Sequence, residues 1–259
     1  MGIAAKTPDL AMLGPQEIDV DAIEFNGSTS YVNYDDNWTQ GLSSLVFNSD
    51  ITVSFWVKPH SGSSNSIQQI IHSYLAGVSG SQTSQSVGLQ NSGSGMGLFI
   101  SHDRRGLGDG ILFPTGSGVI NFNQWNHVVY SYQDSTNNLE IAINDSDQSA
   151  SNSGTGAHAF PSGSGGVAAA DTWIGRRSFN DRYFDGCIAE FWMKDVYYDV
   201  SLEANRRYFI SANGKPLSLP AAPLIYLKGT STTWSQTGST SLGTQTLNNI
   251  TDCADSPSD

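Results

Sequence analysis

Ile51-Thr52-Val53-Ser54-Phe55-Trp56-Val57-Lys58-Pro59 decides the fold. Ile51, Val53, Phe55 and Val57 alternate onto one side of an extended chain, and Pro59 closes the run. Working outward, the same period of about two recurs in short runs divided by Gly, Asn, Asp, Ser and Pro. Upstream lie residues 22–27, a strand running into a turn at Gly27, and residues 30–34. Downstream, strands are expected at 67–74, 87–89, 97–101, 172–175 and 186–193. Residues 126–132 and 139–144 flank the turn 134–138 and form a hairpin, with Asp145-Ser146-Asp147 as the next reversal. The Gly-, Ser- and Gln-dense stretches 77–97 and 149–166 are expected to be loops at the ends of a sandwich. One helix is expected, over 201–211, with Ser201 as its cap and Asn213-Gly214 as its end. Residues 223–228 form a last strand, followed by a polar tail carrying Trp234.

Composition bounds the function. The chain of 259 residues suits a single large all-β domain. Its net charge is −12, and its 12 Lys and Arg form no run longer than a pair, so neither a phosphate-binding basic face nor a nucleic-acid partner is expected. No segment has the apolar length to span a bilayer, and the opening residues 1–9 lack the basic-then-apolar pattern of a signal peptide, so neither membrane association nor signal-directed export is expected. Two cysteines, Cys187 and Cys253, are too few for a disulfide framework. They read as a buried thiol and an incidental one, with a single bridge pinning the tail to the sandwich as the alternative.

Four segments in order resemble the laminin-G-like, concanavalin A-like lectin/glucanase superfamily: residues 22–32; residues 51–59; Gln124-Trp125-Asn126-His127-Val128-Val129; and Trp173-Ile174-Gly175 followed by residues 183–192. The resemblance covers about residues 20–212 and implies a jelly-roll β-sandwich of two antiparallel sheets, with a short C-terminal helix and an extended tail. The chain then divides into an N-terminal arm (1–19), the jelly-roll domain (20–212) and a C-terminal strand and tail (213–259). Asn213-Gly214-Lys215-Pro216, residues 222–227, Trp234 and the terminal Ser256-Pro257-Ser258-Asp259 are similar to tails of laminin-G-like structural proteins of tailed bacteriophages.

That resemblance implies a virion component, a capsid decoration or tail-associated protein made in a bacterial cytoplasm, with other virion proteins as partners and homo-oligomeric contacts admitted. Both cysteines would then be free thiols. The alternative is an extracellular carbohydrate-binding module for a host or surface glycan, and a glycoside hydrolase ranks below both. Apolar anchors at Leu10, Met12 and Leu13, and at Leu224, Ile225, Tyr226 and Trp234, suggest that arm and tail dock onto partners, with the tail folding back as an edge strand as the alternative.

No enzyme and no cofactor are expected. Glu17, Asp19 and Asp21 share a strand face in the manner of a glucanase's paired carboxylates, but they precede the first family strand and Asp replaces the family's Glu at the third position. Trp125 and Val128 are assigned to the core and His127 to a strand edge. Calcium is the one metal considered, with Asp103 and Asp109, Asp145 and Asp147, or Asp181 and Asp185 as rim ligands; scattered Asp in Gly-rich turns is more simply turn chemistry. Tyr74, Trp38 and Trp234 are aromatic surfaces that could stack on a sugar.

Overall fold

The computed structural model describes residues 15–35, 50–76, 82–91, 95–105, 111–133, 135–136, 138–148, 171–177, 181–219, 223–239 and 243–259. Its strands are β1 (Ile23–Asn26), β2 (Tyr31–Asp35), β3 (Ile51–Pro59), β4 (Ile67–Ala76), β5 (Gln82–Asn91), β6 (Met96–Arg105), β7 (Ile111–Pro114) and β8 (Asn126–Gln133). They continue as β9 (Asn138–Ile143), β10 (Ser146–Gln148), β11 (Asp171–Ile174), β12 (Asp185–Lys194), β13 (Ile225–Lys228), β14 (Ser235–Gln236), β15 (Thr244–Asn248) and β16 (Thr251–Asp252). One antiparallel sheet of nine strands runs β10-β9-β8-β3-β12-β1-β16, with β13 and β14 added beside β12; the other, of seven, runs β15-β2-β11-β4-β5-β6-β7. Among the described residues no helix is long and apolar enough to cross a membrane.

The alternation of β3 places Ile51, Val53, Phe55 and Val57 in the main core between the sheets, where Phe55 stacks on Phe191 at 6.0 Å and Phe25 meets Phe184 edge-on at 5.9 Å. Thr52, Ser54 and Trp56, on the other face of β3, are buried as well. Two satellite clusters cover them: Val20, Ala22 and Ile210 pack on Trp56 and Ala189, while Val200 and Phe209 pack on Val129, Ala142 and Trp192. Small hydroxyl side chains anchor this cover. Thr52 Oγ1 lies 2.6 Å from Ser131 Oγ and donates to the Val196 carbonyl (2.7 Å), and both hydroxyls accept from the Tyr198 amide (3.1 and 3.0 Å). The buried polar groups of the sheet are thus the attachment points of the chain that buries them.

The expected helix over 201–211 shrinks to one turn, α1 (Glu203–Arg206), with Leu202 at the cap position and no capping side chain. Ser201 instead donates its amide to Asp199 (3.1 Å). Phe209 and Val200 must both reach the sheet, and Gly214, at φ +75°, reverses the chain into an Ile210–Pro216 bridge; a continued helix would satisfy neither. The strand expected at 87–89 is the centre of β5, an interior strand whose Val87 and Leu89 reach the core and which occupies much of the expected loop 77–97; residues 77–81 and 92–94 lie outside the described residues, as does the 149–166 loop. Gly186, at φ +148°, makes the tight approach expected of it: a Cβ there would stand 2.3 Å from the Lys58 carbonyl oxygen.

The tail takes the alternative course, folding back. Ile225, Leu227 and Trp234 are buried in the main core, β15 extends the seven-stranded sheet beside β2, and β16 extends the other sheet beside β1. Its apolar anchors are consumed within the molecule, which corrects the docking role assigned to it. Residues 16–18 pair with 216–218 (Ile18 N to Pro216 O 3.1 Å; Ser218 N to Gln16 O 2.8 Å), while Leu10, Met12 and Leu13 lie outside the described residues. The expectation of free thiols is also corrected. Cys187 of β12 and Cys253, just past β16, form a disulfide with their Cα atoms 6.0 Å apart, the Cys253 amide donating to the Ala22 carbonyl just before β1 (3.0 Å). Closing a separation of 66 residues restricts the unfolded chain; the Cys187→Ser/Cys253→Ser variant is expected to lose about 4 kcal/mol, measured by urea unfolding with and without reductant, and reductant should no longer affect it.

Candidate functional site on the outer face of the seven-stranded sheet

Strand register lines up a row of hydrogen-bonding residues across the seven-stranded sheet. Thr246 of β15 pairs with Asn33 of β2, which pairs with Trp173 of β11, then His72 of β4, Ser86 of β5 and Ser101 of β6. Their chain neighbours Val32, Ile71, Val87, Ile100 and Ile174 fill the main core, so the row belongs to the outer face. Asn33 Nδ2 donates to the Thr172 carbonyl (3.3 Å), and the rings of His72 and Trp173 are 6.4 Å apart.

Beside this row the chain turns sharply after β11. Gly175, at φ +85°, lies against the Phe25 ring so closely that a Cβ would fall 2.3 Å from it, and its amide bonds the Ile70 carbonyl (3.0 Å). The turn delivers Arg176 over the row: its guanidinium carbon stands 3.8 Å from the Tyr31 ring centroid and 5.9 Å from that of Trp173. Phe99 lies on the same face across Gly88, whose missing Cβ would clash with the Phe99 ring at 2.4 Å. His72, Ser86, Phe99, Trp173 and Arg176 are buried, and the half-buried Tyr31, Asn33 and Ser101 form the accessible part of this cluster, a ring with an amide and a hydroxyl that can meet an apolar ring face and its polar rim.

A laminin G family model, described as the concanavalin A-like lectin/glucanases superfamily, matches residues 26–205. The chain belongs to that superfamily. No curated protein sequence matches it. A solved putative carbohydrate binding protein from Bacteroides ovatus is similar to this lectin-type sandwich at 16% identity and a TM-score of 0.53, over 93% of this chain and 61% of that one. The CBM40 domain of the Ruminococcus gnavus IT-sialidase (17%, TM-score 0.48, 74% and 96%) and a heptameric SAP-like pentraxin from Limulus polyphemus (14%, 0.47, 76% and 85%) are similar too. At these identities the likeness is one of fold.

The residues singled out in the sequence fall elsewhere on the lectin-type sandwich. Glu17 is exposed on the bridge to Leu217, accepting a bond from Asn213 (3.1 Å); hydrogen bonds from Ser211 and Asn213 hold its pKa below the ordinary value. Asp19 and Asp21 line a cleft on the other sheet. Asp145 carries two arginines, Arg206 Nε at 2.9 Å and Arg207 Nη2 at 2.6 Å; burial pushes its pKa up, but these bonds outweigh it and hold it low. Hydrogen bonding from Arg177 likewise lowers Asp181, and Asp185 faces His60 Nδ1 at 3.1 Å. These three carboxylates therefore meet side-chain nitrogens rather than converging on a metal position. Asp147 is exposed on β10, Asp103 pairs through its backbone with Ser84, and Asp109 and Trp38 lie outside the described residues. Tyr74 sits on β4, beside Asp171, and Trp234 is in the core.

His127 is not at a strand edge. Interior in β8, it is fully buried, with its Nε2 2.8 Å from Ser54 Oγ and its ring 4.9 Å from Trp56. Burial pulls its pKa down to about 3, against a smaller opposing pull from Asp145. Its folded pKa being below the unfolded value near 6.5, the unfolded chain binds the extra proton, and stability falls as pH drops from about 6.5 toward 3. Urea unfolding at pH 7 and 5 should show a loss of up to about 2 kcal/mol that His127→Gln reduces; an unchanged slope in that variant contradicts the assignment.

Proposed function

We propose that this chain is a non-catalytic carbohydrate-binding module that takes its glycan on the outer face of the seven-stranded sheet. The observation that carries the reading is the registered row Asn33, Trp173, His72, Ser86 and Ser101 with Tyr31 and Arg176 beside it. A sugar has an apolar ring face and a rim of hydroxyls; the half-buried Tyr31, Asn33 and Ser101 offer a ring, an amide and a hydroxyl at the accessible part of the row, backed by the buried His72, Ser86, Trp173 and Arg176. Membership of a lectin/glucanase superfamily and similarity to a putative carbohydrate binding protein support it. A binding role rather than hydrolysis is supported by the dispersal of the candidate carboxylates: Glu17 sits apart on its bridge, and Asp145 and Asp181 are neutralised by arginine.

The Cys187–Cys253 bridge supports action in an oxidising, extracellular setting rather than assembly in a reducing cytoplasm. The virion reading retains the resemblance of the tail to phage structural proteins; the fold-back of Ile225, Leu227 and Trp234 removes the docking argument that accompanied it.

On a glycan array the intact protein should retain at least one glycan class. Asn33→Ala and Tyr31→Ala, at incompletely buried positions that spare the core, should each weaken that binding about tenfold with unchanged circular dichroism. Retention of no glycan, combined with co-purification in phage particles, would replace this reading with the virion one.

A further inference from the structure

Glu190 is a buried carboxylate in an unusual place. β12 pairs with β3 in register until Ala189 and resumes at Trp192, and Glu190 sits in this bulge at φ +52°, a conformation L-residues seldom take. Ile188 and Phe191 both point into the main core, so two successive residues leave it. Ala189 packs under Trp56, and Glu190, only 5% exposed, turns toward β13, where the Tyr226 hydroxyl donates to its Oε2. Burial pushes its pKa up, more than the Tyr226 bond and the Lys228 charge pull it down. Left-handed backbone and a desolvated acid both oppose folding, the combination found where a side chain is positioned for a task.

Glu190 forms part of the wall of a cleft of about 300 Å³. Asp19 and Asp21 line it from the N-terminal segment; Tyr226, Lys228 and Ser235 line it from β13 and β14. Lys228 Nζ lies 4.6 Å from the Tyr226 ring centroid. This composition selects among ligands. An anion meets Asp19 and Asp21; a cation meets the Lys228 ammonium. Donors from Lys228 and Ser235 share the cleft with acceptors from Asp19, Asp21 and Glu190, which matches a neutral ligand whose groups both give and accept hydrogen bonds.

We propose that this cleft is a second ligand site, on the opposite sheet from the face described above, for a neutral hydroxyl-rich molecule the size of one hexose unit. Asp21 and Glu190 accept hydroxyl protons, Lys228 donates to a hydroxyl oxygen, and the site operates whether or not the seven-stranded face binds glycan.

The test uses the ¹⁵N-labelled full chain, titrated separately to about 50 mM with the methyl α-glycosides of glucose, mannose and galactose, and with ethylammonium chloride. With at least one glycoside, amides of residues 19–21 and 226–235 should shift and saturate. Glu190→Gln, nearly isosteric, and Asp21→Asn, at an exposed position that folding tolerates, should each weaken that response about fivefold without altering shifts at residues 31–33, 72 and 173. The proposal is overturned if no glycoside moves the cleft amides, if ethylammonium moves them equally, or if both variants bind like the parent. Shifts confined to residues 31–33, 72 and 173 would sustain the sheet-face reading and overturn this one; shifts confined to the cleft would do the reverse.

Discussion

The centre of the nine-stranded sheet is buried on both faces, and the rest of the architecture follows from that constraint. Phe55 and its alternates need the opposing sheet; Trp56, Thr52 and Ser54, one residue out of phase, need a second cover. An antiparallel sheet usually leaves one face to water. Here residues 195–219 and the end of the N-terminal segment close it off, attached through Thr52 and Ser131 rather than through apolar contact alone. Such hydroxyl attachment points fix where the covering chain lies, because a shift would strand them without partners.

This cover determines how charge and termini are used. Arg206 is buried within the covering segment and is tolerated because Asp145 at the β9–β10 turn and the carbonyls of Val200 and Ser201 (3.0 and 2.7 Å) receive its protons. The same Asp145 lies near the buried imidazole of His127, coupling the β8–β9 hairpin to the cover. The chain then has only sheet edges left to occupy: β15 and β16 pair beside β2 and β1, and the Cys187–Cys253 bridge ties that end to β12 across β1.

On the outer face of the seven-stranded sheet side chains from many strands meet, with Tyr31, Asn33 and Ser101 half-buried and His72, Ser86 and Trp173 buried. Asn33, His72, Ser86, Ser101 and Trp173 are far apart in sequence and adjacent only through register. The Glu190 cleft is the gap that the cover of the other sheet leaves between the N-terminal segment and β13. The two surfaces share a mixture of aromatic and hydrogen-bonding groups, yet they arise differently, one from strand pairing and the other from a bulge.

The all-β class, the strand at 51–59, the hairpin around residues 134–138 and the need for glycine at 186 were legible in the sequence, because alternation, turn chemistry and glycine's backbone freedom are local properties. The family was legible in four ordered segments. Local polarity misled around the expected strand at 87–89, which pairing with its neighbours lengthens to Gln82–Asn91 through a stretch expected to be loop, and at 201–211, where the anchoring of Val200 and Phe209 prevails over helix propensity. The fate of the tail, the cysteine pairing, the row across the sheet and the Glu190 bulge were decided only by tertiary structure. Each depends on which distant strands lie side by side, and a period of two carries the same local signal whichever neighbour a strand finally takes.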